Sequence, residues 1–173
     1  DAGLEKQISH EVSRVGCNFV HRNKNMSAQK QVRVFKFGGA SVKDADAVKN
    51  VASILRRFQG EKIVVVISAM GKTTNALETI HGHRFHGHDF KTEVQELKNF
   101  HLKIANDLGL SDENQLKALY DQFMQFDEVL ASPCSRQFDM EYDQLVCFGE
   151  LFSTALVHSF LQQEKMASHW LDV

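Results

Sequence analysis

Apolar and polar positions follow two kinds of order along this chain. Val32, Val34, Phe35 and Phe37 make a short apolar run, and Lys62-Ile63-Val64-Val65-Val66-Ile67 make a continuous β-branched one. Both predict strands, and the second, apolar at every position after Lys62, has the pattern of a parallel strand covered on both faces. Between them Val48, Val51, Ala52, Leu55 and Phe58 recur at three- and four-residue spacing, which predicts a helix opening near Asp44 with one face against the sheet. Strand, helix and strand in that order make a βαβ unit with a right-handed crossover. Both strand carboxyl ends then share one edge of the sheet.

Further helical stripes follow at Phe90, Val94, Leu97, His101, Ile104 and Leu108, and at Leu116, Leu119, Phe123 and Leu130. Ser111 is placed to cap the latter, with Asp112 and Glu113 in its first turn and Pro133 ending it. Met140 to Leu161 reads as one largely apolar helix. No internal repeat or long linker interrupts this order. Residues 1–25 lack such a pattern apart from a short stripe of Ile8, Val12 and Val15, and they are expected to be a disordered or non-native extension. Met26 is then expected to mark the natural start, with residues 26–173 forming the patterned part of the chain.

The two strands each run into a small polar loop. The first loop is Lys36-Phe37-Gly38-Gly39-Ala40-Ser41, the second Ser68-Ala69-Met70-Gly71-Lys72-Thr73-Thr74-Asn75. Two glycines let backbone N–H groups approach an oxyanion with no Cβ in the way, and Lys36 adds a full positive charge, so the first loop has the chemistry of an anion site. Gly71-Lys72-Thr73 imitates the end of a P-loop, but that motif needs a glycine five positions before Gly71, where Val66 stands.

Composition narrows the class. A formal net charge of −2 over 173 residues argues against a nucleic-acid partner, and no apolar run is expected to cross a bilayer. Cys17, Cys134 and Cys147 are odd in number and widely spaced, which suggests free thiols in a reducing cytoplasm rather than a disulfide framework or zinc ribbon. Cys147, on an apolar helix, is expected to be a small core residue. His81, His83, His86 and His88 form a cluster with Gly82 and Gly87 interspersed. A solvated loop with a pH-responsive charge is the reading here, with no resident metal.

The loops, in order, resemble the aspartokinases of the amino-acid kinase superfamily. That family's first strand ends in Lys-Phe-Gly-Gly-Thr-Ser-Val and its second in a Ser-Ala-Met-Gly-like segment closing with Thr-Asn. Downstream, Gly149-Glu150-Leu151-Phe152-Ser153 is similar to the family's Gly-Glu-Leu-x-Ser helix, and His169-Trp170-Leu171-Asp172-Val173 to the strand that comes next. One departure is Ala40, where the family usually has threonine.

The resemblance implies an α/β fold, a three-layer sandwich with a mainly parallel sheet, cut after its amino-acid-binding half. It implies transfer of the γ-phosphoryl group of ATP, with Mg2+, to the β-carboxylate of L-aspartate. Lys36 would be the catalytic lysine, Gly38, Gly39 and Ser41 would join it in binding phosphate, and Thr74 and Glu150 would hold aspartate, Glu150 meeting its α-ammonium group. Burial of Glu150 on an apolar helix would favour that pairing, because an unpartnered buried carboxylate is costly. The family's second half supplies the nucleotide pocket, a Gly-Arg-Gly-Gly-Ser-Asp segment and regulatory domains that build homo-oligomers. Without these, residues 1–173 are expected to be inactive alone. The alternatives are a superfamily member acting on a different carboxylate or carbamate, and a non-catalytic interaction module.

Overall fold

The computed structural model describes residues 31–135 and 137–171, so the expectations for residues 1–25, Met26 and Cys17 lie outside the described residues. Strands β1 (Val32–Phe37) and β2 (Lys62–Ile67) pair in parallel, in register from Val32 opposite Lys62 to Phe37 opposite Ile67. Helix α1 (Ala45–Arg56) joins them and starts where the sequence predicts, since the Asp44 side chain accepts a hydrogen bond from Ala47 N at 2.8 Å. Val48, Val51, Ala52 and Leu55 of that helix are buried.

Strand pleating sends Phe35, Phe37 and Ile67 into the core and turns the alternate residues outward. On that outward face Val32, Val34, Val64 and Val66 are 44–52% exposed. The expected cover on both faces of β2 is therefore not met among the described residues. Their helices pack on the Phe35 and Phe37 side, and the parallel strand pair with its connecting helices has the mixed α/β architecture expected.

Five helices complete the core: α2 (Thr73–Phe85), α3 (Lys91–Asp107), α4 (Glu113–Ala131), α5 (Phe138–Val146) and α6 (Phe148–Gln163). Phe123, Phe126, Phe148 and Phe152 pack edge-on or tilted between α4 and α6 with ring centroids 5.0–5.7 Å apart. Such aromatic pairs add to the area they bury. Phe138–Gln163 is long and apolar enough by composition to cross a membrane, contrary to expectation, yet 61% of its most apolar window is buried inside the fold. The buried part lies chiefly in α6, which packs as a core helix.

Several boundaries differ from expectation. Asp112, not Ser111, caps α4: its carboxylate accepts from Asn114 N at 2.7 Å, and Gln115 Oε1 accepts from Asp112 N at 3.1 Å. A carboxylate suits the positive helix end better than a hydroxyl. The single helix expected over Met140–Leu161 is two, parted at Cys147, because each piece is anchored separately. Glu141 of α5 is in direct ion-pair contact with Arg84 of α2, whereas α6 is tied to the loop after β2. Cys147 at the joint is exposed rather than core. Residues 166–171 have no regular structure, so the strand expected from His169 does not form among the described residues.

The histidine cluster is also not a loop. Helix α2 continues through Gly82 to Phe85, so His81 and His83 are helical and only His86 and His88 lie in the turn beyond. His81 is buried with its ring 4.4 Å from that of Phe138, and burial lowers its pKa. An apolar ring face is what recruits it to the helix. Arg84, one turn on, is buried too, and donates to Val129 O (3.1 Å) and Ser132 O (2.8 Å) at the end of α4. Removing one member of such a buried pair leaves an uncompensated charge, which costs about 3–5 kcal/mol.

His101 sits at the centre of the helix layer with no exposed surface. Its Nδ1 faces Leu97 O at 2.9 Å and its Nε2 faces Thr73 Oγ1 at 3.5 Å, among the rings of Phe100, Phe123 and Phe152. Burial pushes its pKa down from the ordinary 6.5 to about 4. The neutral imidazole therefore favours folding fully above pH 6.5, and that contribution is lost as the pH falls towards 4. The loss amounts to roughly 3 kcal/mol at ~1.4 kcal/mol per unit. Urea denaturation at pH 7 and at pH 4 should show His101→Gln losing that much less stability than the parent across the interval. Equal losses would mean that His101 does not set the acid sensitivity.

Candidate functional site

The two loops at the strand carboxyl ends meet backbone to backbone. Phe37 O accepts from Ser68 N (3.0 Å) and Gly39 O from Gly71 N (3.2 Å). A Cβ on Gly39 would stand 2.5 Å from Ala69 O, so only glycine permits this approach. Gly71 adopts φ +54, and a Cβ there would also press within 3.3 Å of the Phe100 ring of α3. The second loop is thus held between the first loop and the helix layer.

Helix α6 closes the arrangement from its amino end. A Cβ on Gly149 would lie 2.9 Å from Ala69 Cβ and 3.3 Å from Leu77 Cδ1, so this glycine lets α6 touch the loop directly. From the same helix face, Glu150 Oε1 accepts from Ala69 N at 3.3 Å and Ser153 Oγ accepts from Met70 N at 2.8 Å. Three sequence motifs, at residues 36–41, 68–75 and 149–153, therefore converge around Ala69 and Met70.

The individual side chains fall unequally. Glu150 is exposed, in the first turn of α6, which corrects the expectation of a buried carboxylate. A helix N-terminus favours its charge. Thr74 is half-buried in the first turn of α2, beside buried Thr73. Lys36 is exposed and shares the outward sheet face with Val32 and Val34, opposite the helix layer. Gly38 has open space where a Cβ would be, while Ser41 is half-buried in the short 3-10 turn Gly39–Val42, where its N–H donates to Gly38 O at 2.8 Å. Lys72 is exposed at the start of α2.

A cavity of about 380 Å³ opens between α2 and α3, lined by Lys72, Thr73, Ala76, Glu96, Leu97 and Phe100 among others. None of Lys36, Gly38, Gly39, Ser41, Thr74 or Glu150 lines it, so the expected site residues do not converge there. Among the described residues no three His, Cys, Asp or Glu side chains are grouped to hold a metal ion, His81 to His88 included.

Sequence reasoning missed the buried polar contacts that hold the site. Ser153 carries a readable signal, since i,i+3 spacing puts it on the face of Glu150. His101 has none beyond its place in an apolar stripe. The glycine contacts yield a direct test. Gly39→Ala should destabilise by about 3 kcal/mol, the upper end for overpacking, because a backbone carbonyl cannot step aside. Gly38→Ala should change stability by less than about 0.5 kcal/mol, as for a substitution into open space. Urea titration of both variants checks this, and equal effects would contradict the packing of the two loops.

Similarities to known proteins agree with this geometry. The profile of the amino acid kinase family matches residues 31–173. Aspartokinase 2, chloroplastic, of Arabidopsis thaliana is 34% identical over 137 residues, covering 75% of this chain and 24% of that protein. The chain spans about a quarter of the length of the curated relatives it matches. In structure it is similar to E. coli aspartokinase III in complex with aspartate and ADP, with a TM-score of 0.56 and 28% identity over 78% of this chain and 29% of that one. It also resembles the same enzyme in complex with lysine and aspartate, with a TM-score of 0.60 and 23% identity over 80% of this chain and 30% of that one. The family's profile spans both strands, every helix and all three converging motifs, and the chain belongs to the amino acid kinase family.

Proposed function

We propose that this chain is the aspartate-binding part of an aspartate kinase, which transfers the γ-phosphoryl group of ATP to the β-carboxylate of L-aspartate. The observation that carries the reading is the convergence of three motifs at the carboxyl ends of two parallel strands, with Glu150 exposed beside the loop that bears Thr74. Relatives named as aspartokinases over most of the chain support it.

The chemistry asks little of the protein beyond placement and charge. A carboxylate nucleophile is already ionised at neutral pH, so no general base is needed. The obstacle is repulsion between two anions, and catalysis comes from holding them in line while positive groups balance the charge. Lys36 supplies that charge to the transferring phosphoryl group. Gly38, open on its side-chain side, and Gly39 offer backbone at close range, and Ser41 adds a hydroxyl. Glu150 receives the α-ammonium group of aspartate and Thr74 a further polar contact. Mg2+ would supply charge neutralisation along the phosphates. Among the described residues no group of three His, Cys, Asp or Glu is placed to hold it.

In this reading the complete protein is a homo-oligomer, and its compartment is the cytoplasm on the composition argument. The Arabidopsis relative is named as chloroplastic, so fractionation of a tagged complete protein distinguishes the two locations.

The product of the complete reading frame, assayed with magnesium-ATP, should phosphorylate aspartate. Activity on another acid but not on aspartate would move it to a different branch of the family, and no transfer to any acid would favour a non-catalytic module. Lys36→Ala should lower turnover by about two orders of magnitude, the range for one preorganised electrostatic donor, with little change in aspartate KM. Glu150→Gln should chiefly raise aspartate KM. An unchanged KM would make Glu150 a structural carboxylate.

A further inference from the structure

Ser153 is fully buried, and both its hydrogen-bonding directions are committed. Its hydroxyl donates to Gly149 O one turn back at 2.7 Å, which turns a lone pair towards Met70 N, the donor of the 2.8 Å bond from the second loop. Serine back-bonding of this kind does little for a helix. Here it orients the acceptor. Ser153 and Met70 are both fully buried, so the bond is shielded from bulk solvent.

The neighbouring loop donor, Ala69 N, is taken by Glu150 Oε1, three residues before Ser153 on the same face of α6. Consecutive N–H groups of the loop are thus held by two side chains of one helix, one exposed and one buried. Thr74, in the first turn of the helix α2 that the loop leads into, follows the loop's position. The separation between Glu150 and Thr74 therefore depends in part on Ser153 and on the bare Cα of Gly149, neither of which faces solvent.

We propose that Ser153 is a positioning residue for amino-acid binding: it sets the loop bearing Thr74 against Glu150 and so fixes the spacing that recognises the substrate's ammonium and carboxylate groups. This rests on the aspartate reading above. Losing one buried neutral hydrogen bond is worth about five- to tenfold in an equilibrium constant, and the geometry directs that loss into amino-acid affinity.

The test uses the complete protein and two readouts. Ser153→Ala should raise aspartate KM about five- to tenfold while ATP KM and turnover change less than about twofold. Ser153→Cys, similar in size but a poor acceptor, should resemble Ala rather than the parent. Independently of activity, amide exchange at Met70 should accelerate at least about fivefold in both variants. If Met70 exchange is unchanged, or if KM for aspartate and ATP rise together, the positioning role is wrong. If the parent does not act on aspartate while Met70 exchange accelerates as expected, the substrate reading falls and the loop-holding role of Ser153 stands. Parent-like behaviour of Ser153→Cys would reduce the residue to packing.

Discussion

A missing side chain organises this structure. Gly39 and Ala69 approach so closely that a methyl group at Gly39 would fall 2.5 Å from a carbonyl oxygen, and the first and second loops can meet only because it is absent. Gly149 repeats the device from the helix side, where a Cβ would be 2.9 Å from Ala69 Cβ. Ala69 is therefore gripped between two glycines contributed by distant parts of the sequence. What converges around it, a lysine strand end, a threonine-bearing helix start and a helix with a glutamate at its rim, does so because those contacts leave no slack.

The helix layer holds that junction through buried polar groups as much as through apolar area. Ser153 and Glu150 take the Met70 and Ala69 N–H groups, and His101 reaches Thr73 from α3. Further out, Arg84 joins α2 to the end of α4 and to Glu141 of α5. Each is worth little net when satisfied and costs much when broken. Together they favour one arrangement of loop and helices over near alternatives.

The parts legible in the sequence were those written in local pattern. The βαβ unit follows from two apolar runs flanking a 3.6-residue period, and Asp44 was readable as a helix start. The three motif segments were legible because glycine, lysine and glutamate at strand ends and helix starts carry chemistry that a random surface does not need. Contacts between segments far apart in sequence were not. Nothing around Arg84 or Glu141 announces a partner 57 positions away, and the break at Cys147 follows from how α5 and α6 are anchored. The histidine segment misled because its two glycines and polar rings read as a loop. Burial of His81 against Phe138 overrides that local preference. Exposure of Glu150 reversed the burial argument for its role without moving it from the loop.

In the proposed reading, residues 68–75 and 149–153 form one amino-acid site. Hydrogen exchange of the complete protein with and without saturating L-aspartate tests it most directly. Aspartate should slow exchange in both segments together, with no change over residues 81–88. Protection confined to other regions, or to one of the two segments alone, would contradict it.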